Sequence, residues 1–157
     1  MKESIKTGIC FGLTSGTITT LGLMTGLAAG TSSKTAVLGG IITIAIADAL
    51  SDALGIHISE ESKKSTTNDH VWEATAATFF TKFLFASTFA LPVILTDLPQ
   101  AVTINIAWGI MVLSIMSYFI AKEQRTKPVH VIAEHVSIAI LVIFLTDAIG
   151  TWISQNF

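Results

Sequence analysis

Cysteine is almost absent: Cys10 stands alone in 157 residues. That excludes an intramolecular disulfide and a cysteine-rich metal centre, and leaves Cys10 as a small apolar filler. Charge is scarce too, at 13% of residues, where an ordinary soluble domain carries about 25%. A net charge of −2 offers nucleic acid no electrostatic footprint. The chain has no nucleophile triad, no HExxH and no phosphate loop, so it does not read as an enzyme. No internal repeat, low-complexity tract or soluble domain interrupts it. What the chain has in quantity is apolar surface, at 51% of residues.

That apolar content is gathered into runs. A helix crosses a ~30 Å hydrocarbon core in about 20 residues, and five runs reach that length: 8–29, 35–58, 74–95, 101–121 and 129–153. Between them lie GTSSKT, SEESKKSTTNDHVWE, TDLPQ and KEQRTKP. The strands of a membrane barrel would be about 10 residues long and alternating, so these runs predict helices. The first is too long and too rich in threonine for a signal peptide, and a second span follows at once. The expectation is one all-α transmembrane domain over 1–157, with five spans.

Lysine and arginine give the orientation. Lys2, Lys6, Lys63, Lys64, Lys122, Arg125 and Lys127 fall on one side of these spans and only Lys34 on the other. The positive-inside rule then places the N-terminus in the cytosol and the C-terminus outside or in a lumen. A prokaryotic plasma membrane is the expected location, an organelle membrane the alternative.

Against this background a few residues are out of place. Asp48 and Asp52, in IADALSDALGIHISEES (46–62), share one helix face at i and i+4. An ionised side chain at that depth costs at least ~2.5–3.5 kcal/mol, so it needs a partner, a proton or a metal. Lys82 lies inside the third run and either snorkels to the interface or pairs with an aspartate. If it pairs, Asp52 stays ionised and is less available to a metal. Asp147, in LTDAIG, reads as an intramembrane acid or as a hydrogen-bond partner of a threonine on another helix. Glu134 and His135 read as an interfacial anchor.

At the end of the second run, His57, Glu60 and Glu61 join Asp69, His70 and Glu73 of the 59–73 linker. These ligand types suit Mn2+, Fe2+ or Zn2+, but no metal-finger spacing is present, and a solvated acidic patch is the plainer reading of the same residues. Gly8, Gly12 and Gly16 recur at i+4, as do Gly22, Gly26 and Gly30. Such rows let helices approach closely. With Thr14, Ser15, Thr17, Thr19 and Thr20 between them, the first span is too polar to face lipid all round. It belongs at a helix–helix or subunit interface, in a position to line a path.

GLTSGTITTLGLMTGLAAG (12–30) followed by GIITIAIADALSDALGIHISEES (40–62) resembles the first two helices of the vacuolar iron transporter family. There the first helix reads like GxSDGLxxPFALAAGL and the second like ALSMALGEYVS. The third run, ATFFTKFLFASTFALPVIL, is similar to a Phe-rich helix ending in LPLLP, and LTDAIG is similar to TYLIG. The likeness spans nearly the whole chain and includes the helix count and the orientation. It implies a homodimer whose helices one and two line a central path, exporting Fe2+ or Mn2+ from the cytosol in exchange for protons, with no tightly bound cofactor.

The chain also departs from that pattern. The acid of SDG aligns with Ser15, the methionine of LSM with Asp52, the acid of GEY with Ile56, its aromatic with His57, and the tyrosine of TYLIG with Asp147. The long cytosolic insert that gathers metal in many members is replaced by the short 59–73 linker. The resulting expectation is a metal site at Asp48 and Asp52, with Ser15, Thr14, His57, Glu60, Glu61 and Asp147 as path-lining or accessory residues and Lys82 as an ion-pair partner. The alternatives are a structural membrane subunit and a passive cation or proton pore.

Overall fold

The computed structural model describes residues 2–157, which are helical almost throughout. The helices are α1 (Glu3–Thr31), α2 (Lys34–Glu61), α3 (Asn68–Thr88), α4 (Ala90–Leu95), α5 (Leu98–Glu123) and α6 (Pro128–Asn156). With α3 and α4 taken as one run, five helices are long and apolar enough to cross a membrane. All extend past the expected spans: α1 at 29 residues is about 43 Å long, so its polar ends project beyond a ~30 Å core.

Local chemistry sets the ends. The Ser33 hydroxyl accepts a hydrogen bond from the Ala36 N–H (3.2 Å), and Thr67 caps α3 the same way through the His70 N–H (3.3 Å). Pro99 and Pro128 occupy the first turns of α5 and α6, where a missing N–H costs nothing. Ser32 takes a left-handed conformation, φ 49°, to close α1 on the Ala28 carbonyl.

The third span is not continuous, a departure from the expected single helix. Pro92 lacks the N–H that would bond the Thr88 carbonyl, and its ring crowds that oxygen. The chain turns at Phe89, which bonds back to Ala86 (3.2 Å). Asn105 of α5, fully buried, donates to the Phe89 carbonyl (2.9 Å) and reaches the Met24 sulfur (3.1 Å). Trp108 donates to the Thr88 hydroxyl (3.0 Å).

Packing radiates from α1. Its first glycine row lies on α3: a Cβ at Gly8 would fall 2.5 Å from the Ala74 carbonyl, and one at Gly12 2.7 Å from that of Thr78. The second row lies on α6, where Gly26 meets Thr146 and Gly30 meets Gly150, and Thr25 and Thr146 share a hydrogen bond of 2.8 Å. Both rows are therefore spent on contacts within the chain. The interior mixes Leu21, Met24, Ile41 and Phe89 with buried Thr17, Thr20, Thr78, Lys82 and Asn105, while Leu50, Leu54, Phe80, Leu84, Phe119 and Phe144 face outward. Large apolar side chains facing outward, with polar groups among those buried inside, suit a hydrocarbon surround.

The two ends differ in charge. At one, Lys2 pairs with Glu73, and Lys6 with Glu123 (2.6 Å). The Glu73 carboxylate, accepting its hydrogen bond, holds the Lys2 ammonium above the ordinary lysine range. At the other, Lys34 donates to the carbonyls of Ile94 (3.1 Å) and Thr96 (2.9 Å).

Candidate functional site: an Asp–Lys–Asp triad

Asp48 lies within a residue of the midpoint of α2, and Lys82 within a residue of the midpoint of the 68–95 run. Because α3 begins at Asn68, Lys82 is about 21 Å from the helix start. Its ammonium is held inside the bundle by Ser15, Asp52 and Asp48 and does not snorkel along the helix. The side chain is 1% exposed.

Small neighbours make room for it. The inward face of α2 carries Ala45, Ala49 and Ala53, and on α1 a Cβ at Gly16 would sit 3.1 Å from the Lys82 Cγ. The ammonium emerges between α1 and α2 and bonds three groups. It donates to the Ser15 hydroxyl at 2.9 Å, donates to Asp52 Oδ2, and stands 2.5 Å from Asp48 Oδ2. Ser15 in turn donates to Asp52 Oδ2 at 2.6 Å. The contact with Asp48 is an ion pair.

Two features govern what the triad can do. Two acids meet one base, so the lysine matches only one of the two carboxyl groups at the middle of the bundle. Burial is also lopsided: the lysine is sealed, while the side chains of Asp48 and Asp52 are 28% and 20% exposed. The carboxylates are reachable from outside the helix bundle and the ammonium is not. On the same helix, Gly39, Thr43, Ala47, Ser51, Gly55 and Ser59 form an exposed i+4 row. A Cβ at Gly39 or Gly55 would meet nothing within 4 Å.

Of the expected site residues, the structure brings together Asp48, Asp52, Ser15 and Lys82. It separates the others. Thr14 is one position, about 100°, round the helix from Ser15, and its hydroxyl donates to the Cys10 carbonyl (2.8 Å) and touches the Met116 sulfur (3.5 Å). Asp147 is exposed, and the threonine–threonine bond between α1 and α6 belongs to its neighbour Thr146.

The acidic and imidazole residues near the linker do not converge either. Glu60 is buried against Lys63 (2.7 Å) and His70 (3.3 Å). His57 bonds Thr75 (3.1 Å) and meets the edge of Trp72. Glu73 holds Lys2 and Ser4, and Glu61 and Asp69 are exposed. Among the described residues no three His, Cys, Asp or Glu side chains form a group able to hold a metal. His135 bonds Ser117 (2.7 Å), joining α6 to α5. Asn105 went unread in the sequence, although one Asn inside an otherwise apolar run was the available signal. The chain matches no protein-family model and no curated protein sequence.

Proposed function

We propose that the protein is a membrane transporter of cations that receives its cargo at Asp48 and Asp52. In this reading it is a compact relative of the vacuolar iron transporters, exporting Fe2+ or Mn2+ from the cytosol against protons. One observation carries the proposal: two aspartates face a single lysine at the middle of the bundle, one acid more than the ammonium can match. A purely structural ion pair would be neutral and closed on all sides, because an uncompensated charge at that depth costs ~2.5–3.5 kcal/mol even on the gentlest scale. The unmatched acid and the partial exposure of both carboxylates support a mobile cation.

The Mn2+ or Fe2+ is substrate, and the donor set fits a hard cation. Two carboxylates supply oxygen ligands, and the side chains that carry them are partly exposed. Two ligands from one protomer are too few for a closed site. The exposed small-residue row on α2, beside the aspartates, supports a homodimer in which a second copy completes the shell. Reconstituted into liposomes, the protein is expected to move Mn2+ or Fe2+ in a way that follows an imposed pH gradient, and Asp52→Asn to stop it. Flux of none of these ions in the wild-type protein would remove the transport reading. The triad would then be structural, as the sealed position of Lys82 between both aspartates favours.

A further inference from the structure

We propose that Lys82 is a resident competitor of the cargo, a built-in cation that occupies the carboxylate oxygens the cargo must take. The proposal rests on the assignment of Asp48 and Asp52 as cargo ligands, and it adds the residue that sets how tightly they hold.

The geometry makes the competition direct. The ammonium reaches Oδ2 of both aspartates, and these are the atoms on which a bridging cation would sit. Two carboxylates demand two positive charges. A divalent ion supplies both, the ammonium supplies one, and the two together overshoot by one charge in a medium of low dielectric. Cargo and ammonium therefore exclude each other from the same oxygens. Each arriving ion displaces Lys82, and the returning ammonium helps to expel it, so the site releases its cargo at the cost of affinity. The fold provides for this. Lys82 comes from α3, the aspartates from α2, and the missing side chain of Gly16 leaves the lysine stem its space. Ser15 holds the ammonium at 2.9 Å through a neutral hydroxyl, an anchor that a divalent ion does not need.

The test is Mn2+ binding to the full chain in lipid nanodiscs, with Mn2+ alone as probe and the bound fraction read by electron paramagnetic resonance. Lys82→Gln and Lys82→Met remove the competitor and are expected to bind Mn2+ roughly tenfold tighter or more, a shift equivalent to about 1.4 kcal/mol. Lys82→Arg keeps the charge and is expected to bind no better than wild type. Mn2+ should also raise the unfolding temperature of the neutral variants, and Asp48→Asn/Asp52→Asn should abolish that rise. A folded neutral variant whose affinity stays within about twofold of wild type overturns the proposal. So does failure to recover either neutral variant with Mn2+ present, since the ion would then not replace the ammonium. Wild-type flux with unchanged affinity in the Lys82 variants rejects the competitor and keeps the transporter. Tighter binding without flux does the reverse.

Discussion

Removing the Lys82 ammonium in the absence of metal leaves two carboxylates, one helical turn apart, with no counter-charge at mid-bundle. Breaking a buried ion pair by deleting one partner costs ~3–5 kcal/mol. Here the two acids are 28% and 20% exposed, which weakens the penalty and places the loss near the lower bound. The insertion cost of a single charge at a helix centre, ~2.5–3.5 kcal/mol, leads to the same figure. Lys82→Met is therefore expected to lose about 3 kcal/mol of unfolding free energy, measured by SDS-titrated unfolding in mixed micelles without divalent ions. The triple variant Lys82→Met/Asp48→Asn/Asp52→Asn is expected to return to within about 1 kcal/mol of wild type, because neutral groups in place of a buried ion cluster are often tolerated. A single variant as stable as wild type, or a triple variant no better than the single, would refute the electrostatic account of the triad.

Ser15→Ala removes a hydroxyl that donates to Asp52 and accepts from Lys82. It is expected to cost about 1.5–3 kcal/mol, the range for hydrogen bonds to charged groups, in the same unfolding assay; a loss below the assay's resolution would show that the hydroxyl is replaceable. Gly12→Leu drives a side chain into the Thr78 carbonyl and should cost about 1–3 kcal/mol or more by overpacking. An unfolding midpoint unchanged from wild type would expose an error in the α1–α3 packing.

Much of the architecture was legible from hydropathy, because a membrane solvent imposes span length on each apolar run. The helix ends were less so. α1 starts at Glu3 and not Gly8, since pairing of Lys6 with Glu123 carries regular structure past the apolar boundary. The break at Phe89 depends on Pro92 and on Asn105 from a different helix, and no local pattern joins those two residues. At the site, the i, i+4 spacing made the two aspartates one face. Whether Lys82 would meet them depends on the relative register of α2 and α3, which the connection at 62–67 fixes in three dimensions. The same limit explains Thr14 and Asp147: a one-residue step turns a side chain by about 100°, enough to hand the contact to Ser15 in one case and Thr146 in the other.

The charges of the triad sit on consecutive spans, and this bears on how the chain enters a bilayer. An α2 carrying two aspartates near its centre is a poor candidate for insertion alone, as each adds ~2.5–3.5 kcal/mol to the transfer of an otherwise apolar segment. An α3 carrying Lys82 at mid-length has the same handicap with the opposite sign. Joined by only six residues, 62–67, the two helices emerge from synthesis as neighbours and are expected to enter as a hairpin in which each segment supplies the other's counter-charge. The acid–lysine contact is thus available to the nascent chain before α5 and α6 have been made, and the order of the helices along the sequence becomes part of what makes a polar bundle centre compatible with membrane assembly.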